Sequence, residues 1–247
     1  YKAKNSSFYN NVTYGERSMR KMKAGIFLGV AMLFAACSAS AEIFVDRTIV
    51  DFQTAQEQRQ DVQVQNKSAE TAFVEVEVLE VLNPGTDKEE QKVVTDPASI
   101  KLVVSPSKFA IPPNGNKLLR IVNTGEPGDE RIYRINIKPV LPPLAGKAES
   151  TLVRVVVAYQ VLVMVRPVAP EDKLVVKREG RKLLVSNPGN SNVLMSGGKQ
   201  CGAANKCQEL ASRRIYAGNS WQVDLPLDAP VSFELTSFKG SYTQQYP

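Results

Sequence analysis

The stretch Thr151-Leu152-Val153-Arg154-Val155-Val156-Val157-Ala158-Tyr159-Gln160-Val161-Leu162-Val163-Met164-Val165 holds seven valines in fifteen residues. β-Branched side chains at this density favour extended backbone, and a period of two divides the run into two faces. Val153, Val155, Val157, Tyr159, Val161, Val163 and Val165 share one face, while Arg154 lies on the other with Val156, Ala158 and Leu162. A usual strand has about 5–6 residues, so this one is long enough to cross a core or to project from it. Apolar residues on both faces are normal for a central strand. Its place argues for an edge, because it closes the first half of the chain and follows a loop over 139–150. A long apolar edge is an aggregation hazard unless pairing with another chain is its task. The run therefore predicts a strand-addition surface.

Outward from this run, almost every segment reads as strand. Residues 61–65 alternate Val62 and Val64 with Gln63 and Gln65, and residues 73–82 alternate Val74, Val76 and Val78 with Glu75 and Glu77. Such period-two patterns indicate half-buried antiparallel strands. Further strands are expected over 42–52, 117–122 and 131–138, with turns at Asn83-Pro84-Gly85, Asp96-Pro97, Pro112-Pro113-Asn114-Gly115 and Gly125-Glu126-Pro127-Gly128. The prolines of Arg166-Pro167-Val168-Ala169-Pro170 interrupt the pattern and read as a stiff linker. Shorter strands follow over 173–176, 182–186, 192–195, 212–216, 220–224 and 231–236. An amphipathic helix of three turns is not found after residue 42. The reading is all-β: two Ig-like β-sandwich domains in tandem, over 42–166 and 171–247, joined by 167–170.

The chain of 247 residues carries 31 basic and 25 acidic side chains, a net charge of +6. Six of the basic residues and one acid fall in residues 1–41, which leaves 25 against 24 in the remainder. The excess therefore belongs to the leader, and a nucleic-acid footprint over the whole protein is not supported. Arg20-Lys21-Met22-Lys23, an apolar run over 24–36 and Ser38-Ala39-Ser40-Ala41 form a secretory signal pattern over 19–41, with cleavage after Ala41. The apolar run is shorter than the roughly 20 residues a bilayer requires, so no membrane insertion is expected after cleavage. Residues 1–18 read as an upstream segment foreign to the mature protein. Cys37 lies in a weak match to a lipoprotein processing box, which keeps open a lipid-anchored or secreted Ig-like surface protein.

Removing the leader leaves Cys201 and Cys207, an even pair with five residues between them, suited to a small disulfide loop in an oxidising compartment. With no histidine and two cysteines, a zinc site would need carboxylate help and has no spacing signature. No metal or cofactor is expected. The absence of histidine also removes the Ser-His-Asp and Cys-His arrangements, and the chain is not expected to be an enzyme. Gly197-Gly198-Lys199 resembles a phosphate loop only superficially and is expected in a β-turn beside the disulfide. Glu75 with Glu77, and Glu89 with Glu90, read as solvated faces or loops.

Residues 102–115, Leu-Val-Val-Ser-Pro-Ser-Lys-Phe-Ala-Ile-Pro-Pro-Asn-Gly, followed by Leu119-Arg120-Ile121, resemble the signature of periplasmic pilus chaperones of the chaperone–usher pathway. Glu130-Arg131-Ile132-Tyr133-Arg134-Ile135-Asn136 and Val140-Leu141-Pro142-Pro143 are similar to that family's sixth strand and the loop after it, and Met164-Val165-Arg166-Pro167 to the end of its seventh. The second domain, with Asn187-Pro188-Gly189-Asn190 and the cysteine loop, looks most like the alternative (alpha, common-pilus-type) branch. The resemblance implies a periplasmic chaperone that lends its last first-domain strand to pilus subunits lacking one, and passes them to an outer-membrane usher. It implies that Val153, Val155 and Val157, with Val161 as a weaker member, enter the pilus subunit. It also implies an interdomain pair between Glu130 and Arg166. The best-known branch holds the client's terminal carboxylate with two basic residues, whose places are taken here by Ile49 and Leu162. Arg47 is the nearby candidate anchor, with a plain surface cation as its alternative reading.

Overall fold

The computed structural model describes residues 43–53, 57–94, 96–125, 128–141, 156–202 and 206–247. The leader expected over 19–41, the segment before it, Val153 and Val155 lie outside the described residues. Among the described residues ten strands build the first domain: β1 (Ile43–Val45), β2 (Ile49–Phe52), β3 (Arg59–Asn66), β4 (Ala72–Leu82), β5 (Glu90–Val93), β6 (Leu102–Ser105), β7 (Lys108–Ile111), β8 (Asn116–Asn123), β9 (Arg131–Val140) and β10 (Tyr159–Val165). Eight build the second: β11 (Val175–Glu179), β12 (Lys182–Ser186), β13 (Val193–Cys201), β14 (Cys207–Glu209), β15 (Arg213–Ile215), β16 (Ser220–Asp224), β17 (Val231–Ser237) and β18 (Gly240–Tyr246). Each domain is a sandwich of two sheets, as the alternating pattern requires.

In the first domain one sheet runs β1-β3-β8-β6 and the other β2-β10-β9-β4-β5, with β7 also paired to β4. The inward residues are those the period of two selects. Val62 and Val64, Val74 and Val76, Ile135 and Ile137, and Val161, Val163 and Val165 meet in one core with Phe52, Leu119 and Ile121. In the second domain, sheets β11-β12-β16 and β14-β13-β17-β18 enclose Leu183, Val185, Met195, Val223, Phe233 and Leu235. Trp221 meets Phe233 edge-on, with ring centroids 6.1 Å apart.

Three expectations are corrected. The single strand expected over 42–52 is broken at Asp46, because β1 pairs with β3 in one sheet while β2 pairs with β10 in the other. Asp46 holds the corner: its N–H donates to the Gln63 carbonyl at 3.0 Å, and its Oδ1 accepts the Gln63 N–H at 2.8 Å. Gly197-Gly198 lies inside β13 rather than in a turn, at a bulge where the pairing with β17 shifts between Ser196 and Lys199. Gly197 takes a φ of +58°, and a Cβ on Gly198 would stand 2.3 Å from Phe233 Cε1, so both positions suit glycine. The third correction concerns the valine run itself. Among the described residues its regular strand spans Tyr159–Val165, and Val156–Ala158 lie outside any ladder. The register pairs Tyr159 with Ile137, which would set residue 157 opposite Pro139, and a proline has no N–H to donate there.

Candidate functional site: an open strand edge beside the domain interface

β10 lies between β9, antiparallel to it, and β2, parallel to it. The cover from β2 is partial, since it pairs with Leu162–Val165 and stops there. The Leu162 N–H, which donates to the Thr48 carbonyl at 2.9 Å, marks the last bond on that side. Because N–H and C=O groups alternate sides along a strand, Gln160 turns its main-chain groups the same way. Among the described residues they meet no partner strand there. Below Leu162 the strand is therefore an open edge, and it leads into Val156 and Val157, which are 39% and 48% exposed.

The two faces of β10 serve different ends. Val161, Val163 and Val165 enter the first domain's core, whereas Leu162 and Met164 pack with Val81, Ile132 and Tyr216. Tyr216 comes from the second domain, so this outer cluster is the apolar centre of the domain interface. Burial on both faces thus explains the continuous apolarity of residues 161–165, and the free edge begins only before them.

The interface is also braced by charge. Arg166 follows β10 directly, and its side chain is 2% exposed. Its Nε and Nη2 donate to the two Asp51 oxygens at 2.8 Å each, and its Nη1 donates to Ser191 Oγ at 2.6 Å and lies 3.5 Å from Glu130 Oε1. Glu130, buried in turn, accepts the Asn192 N–H at 3.0 Å, Asn192 Nδ2 at 2.6 Å and Ser191 Oγ at 3.1 Å. Burial raises the Glu130 carboxyl above its ordinary value, opposed by the Asn192 N–H and the Arg166 charge. Burial lowers Arg214, whose guanidinium donates to Asn192 Oδ1. The guanidinium of Arg166 also stands 5.8 Å from the Phe238 ring, within cation–π range. A second contact comes from the turn at Asn83-Pro84-Gly85: Asn219 Nδ2 donates to the Pro84 carbonyl at 2.7 Å, and Arg213 Nη2 donates to the Gly85 carbonyl at 2.9 Å. Gly85 has a φ of +75° and lies so close to Tyr216 that a Cβ would be 2.8 Å from Cδ2.

Residues 42–171, just over half of the chain, match the pili and flagellar-assembly chaperone family through its PapD N-terminal domain. The chain belongs to that family. The chaperone is 26% identical over 195 residues to a CS1 fimbrial subunit of Escherichia coli, covering 74% of this chain and 82% of that one. It is 26% identical over 171 residues to a CFA/I fimbrial subunit of the same organism, covering 67% and 71%. Its fold matches the class 5 fimbriae chaperone CfaA (20% identity, TM-score 0.60, covering 83% of this chain and 99% of that chain). It also matches the E. coli chaperone DraB (21%, 0.60, 84% and 98%). A third match is to a chain from the Salmonella enterica complex of SafA pilin with the SafB chaperone (19%, 0.59, 83% and 96%).

The structure sorts the expected site residues of the chaperone. Val157 stands exposed on the approach to the open edge. Val161, expected among the client-facing valines, is instead fully buried in the chaperone's own core, because β10 has already entered the sandwich at that residue. Ile49 and Leu162, the two positions expected to be basic, are register partners on β2 and β10. Arg47 pairs with its neighbour Asp46 at 3.1 Å. Cys201 and Cys207 are bonded, and they face each other across the β13–β14 pair. Sequence reasoning missed Asp51, Ser191, Asn192 and Tyr216. Asp51 carries the one available signal, an acid in the otherwise apolar strand Ile49–Phe52.

Proposed function

We propose that this protein is a periplasmic chaperone that holds pilus subunits by lending them the edge of β10, and that it delivers them to an outer-membrane usher. The open stretch before Leu162, leading into exposed Val156 and Val157, is the observation that carries this reading. A strand laid along that edge gains main-chain hydrogen bonds whatever its sequence, and the side-chain alternation then supplies fit. Val157 is in phase with Val161 and Val163 in the sequence, so extension of the segment along a client would continue the apolar face of the sandwich core outward; Val153 and Val155 are the further members proposed for that face. The Glu130–Arg166 contact keeps the second domain fixed beside the edge. Neither nucleic acid nor a cofactor has a role in this scheme.

Coexpression with a pilus subunit in the periplasm tests the proposal. The wild-type chain is expected to yield a soluble one-to-one complex. Val157→Glu places a charge where an apolar pocket is filled, and it should remove most of the complex while leaving the free chaperone folded, because residue 157 lies outside the core. Full recovery of complex with Val155→Glu and Val157→Glu combined would sink the strand-lending scheme.

A further inference from the structure

The sheet β14-β13-β17-β18 of the second domain ends on β18. This strand pairs with β17 on one side, and among the described residues no strand pairs with it on the other. Exposed edges in soluble proteins are commonly blunted by charge or proline. The other edges of this domain follow that practice: β11 carries Arg178, β14 Glu209, β15 Arg213 and β16 Asp224. β18, Gly-Ser-Tyr-Thr-Gln-Gln-Tyr, has neither a charged side chain nor a proline.

Its register fixes what the free side offers. The two-residue turn Phe238-Lys239 closes β17 onto β18, so Ser237 and Gly240 form a hydrogen-bonded pair. Alternation then turns the main-chain groups of Tyr242, Gln244 and Tyr246 towards β17, and those of Ser241, Thr243 and Gln245 outwards. The Gln245 carbonyl accordingly lies off the ladder and accepts Gln244 Nε2 at 2.9 Å. Tyr242, Gln244 and Tyr246 stand opposite Leu235, Phe233 and Val231, so their side chains share the core side of the sheet. Tyr246 packs against that core, whereas Tyr242 overhangs it and is 52% exposed.

About Gln244 this edge is its own complement. In an antiparallel pair of two β18 strands centred there, Tyr242 faces Tyr246 of the second copy, Thr243 faces Gln245, and Gln244 faces its own counterpart. The parity is correct, because Thr243 and Gln245 both turn N–H and C=O outwards; the two symmetric pairs exchange about four main-chain hydrogen bonds. The tyrosine pairs fall at non-hydrogen-bonded sites, where side chains come closest, and each covers a half-exposed Tyr242. A twofold contact requires such a self-complementary surface. The turn that begins β18 lies beside the domain brace, with the Phe238 ring 5.8 Å from the Arg166 guanidinium. Gly240 of the two copies would stand about 27 Å apart along the strands, so the two braces lie at opposite ends of the shared ladder. We propose that β18 pairs with β18 of a second copy of this chain, joining two chaperones through their second domains and leaving both β10 edges open. One added ladder is small beside a standard interface of about 1,600 Å², so the dimer is weak and depends on concentration.

Sedimentation equilibrium of the purified chaperone from about 10 μM to about 1 mM, the range suited to so small a contact, tests the pairing. The wild type should pass from monomer towards dimer across it. Thr243→Pro removes an outward N–H and none that bonds β17, so it should weaken the dimer at least about tenfold while the thermal transition stays in place. Gln244→Lys sets two like charges directly opposite each other on the axis and should act in the same direction. Gln244→Cys should give a disulfide-linked dimer on mild oxidation, since opposed residues at such a site stand about 4.5 Å apart; Gln222→Cys, on the β16 edge, should not. Equal cross-linking of the two cysteine variants would mark random collision and overturn the pairing. A wild type that stays monomeric to the top of the range overturns it as well. So does a dimer that persists in both Thr243→Pro and Gln244→Lys, and its loss in Val157→Glu would then place the contact on the β10 edge.

Discussion

Replacing Arg166 by alanine removes the charge that Asp51 and Glu130 share across the domain interface. Asp51 is 20% exposed in its side chain and can recover some hydration, whereas Glu130 is 3% exposed and retains only Ser191 and Asn192 as partners. Breaking a buried pair by removing one partner costs about 3–5 kcal/mol. The remaining hydrogen bonds to Glu130 and the partial exposure of Asp51 place this case near the lower end, at about 3 kcal/mol. For a folded region of this size, 1 kcal/mol shifts Tm by about 2–4 °C, so a loss of about 6–12 °C is expected. Differential scanning calorimetry at pH 7 reads this directly, and the transition should broaden or split as the two domains lose their coupling. The double variant Arg166→Ala with Glu130→Gln should recover part of the loss, because it no longer buries an unpaired charge; residues in such direct contact couple by about 0.5–3 kcal/mol. A Tm for Arg166→Ala within two degrees or so of wild type would refute the reasoning, since a side chain this buried would then be contributing nothing.

Two carboxylates should respond to pH in opposite directions. Glu77 is held below its ordinary value by hydrogen bonds from Lys138 and Asn136, so its contribution is present above the usual carboxylate range and is lost as pH falls through the lowered value. Glu130 is raised by burial, so its contribution is full below the usual range and is lost as pH rises through the raised value. The stability gap between wild type and Glu77→Gln should therefore shrink on acidification from pH 6 towards 3, while the wild type should gain on Glu130→Gln; parallel slopes in urea denaturation across that range would contradict both assignments. Gly198→Ala sets a methyl against the Phe233 ring in the second core, and overpacking of this kind costs about 1–3 kcal/mol. Thermal unfolding indistinguishable from wild type would show that the bulge tolerates a side chain.

The parts legible in the sequence are those fixed by local alternation. Residues 182–186 and 220–224 form strands over their expected bounds, because each carries an apolar face with no competing demand. β18 escaped notice for the opposite reason. Its residues Gly240–Tyr246 are largely exposed, with no apolar face to reveal a period, and the strand is held by its ladder to β17. In the valine run, two causes of apolarity overlap. Val161, Val163 and Val165 are apolar for the core, and Leu162 and Met164 for the second domain, so composition could not separate the buried part from the open edge. The acids and amides of the brace are spread more widely still: Asp51 lies 115 residues from Arg166, and Asn192 lies 62 from Glu130. Contacts at such separations leave no periodic trace, and only the resemblance of residues 130–136 and 164–167 to a known pattern brought Glu130 and Arg166 forward.

β2 ends its pairing with β10 at Leu162, and this has a consequence for any chain laid alongside. A strand sliding along the open edge meets the backbone of Thr48 and Ile49 end-on and can go no further. The collision works as an endstop, like the closed end of a ruler slot. A slip of one residue would turn every inward side chain outward, so a fixed stopping point sets the phase of the added strand before its side chains are tested for fit. One edge can then seat strands of different sequence in the same register, with alignment supplied by the chaperone's own first strands.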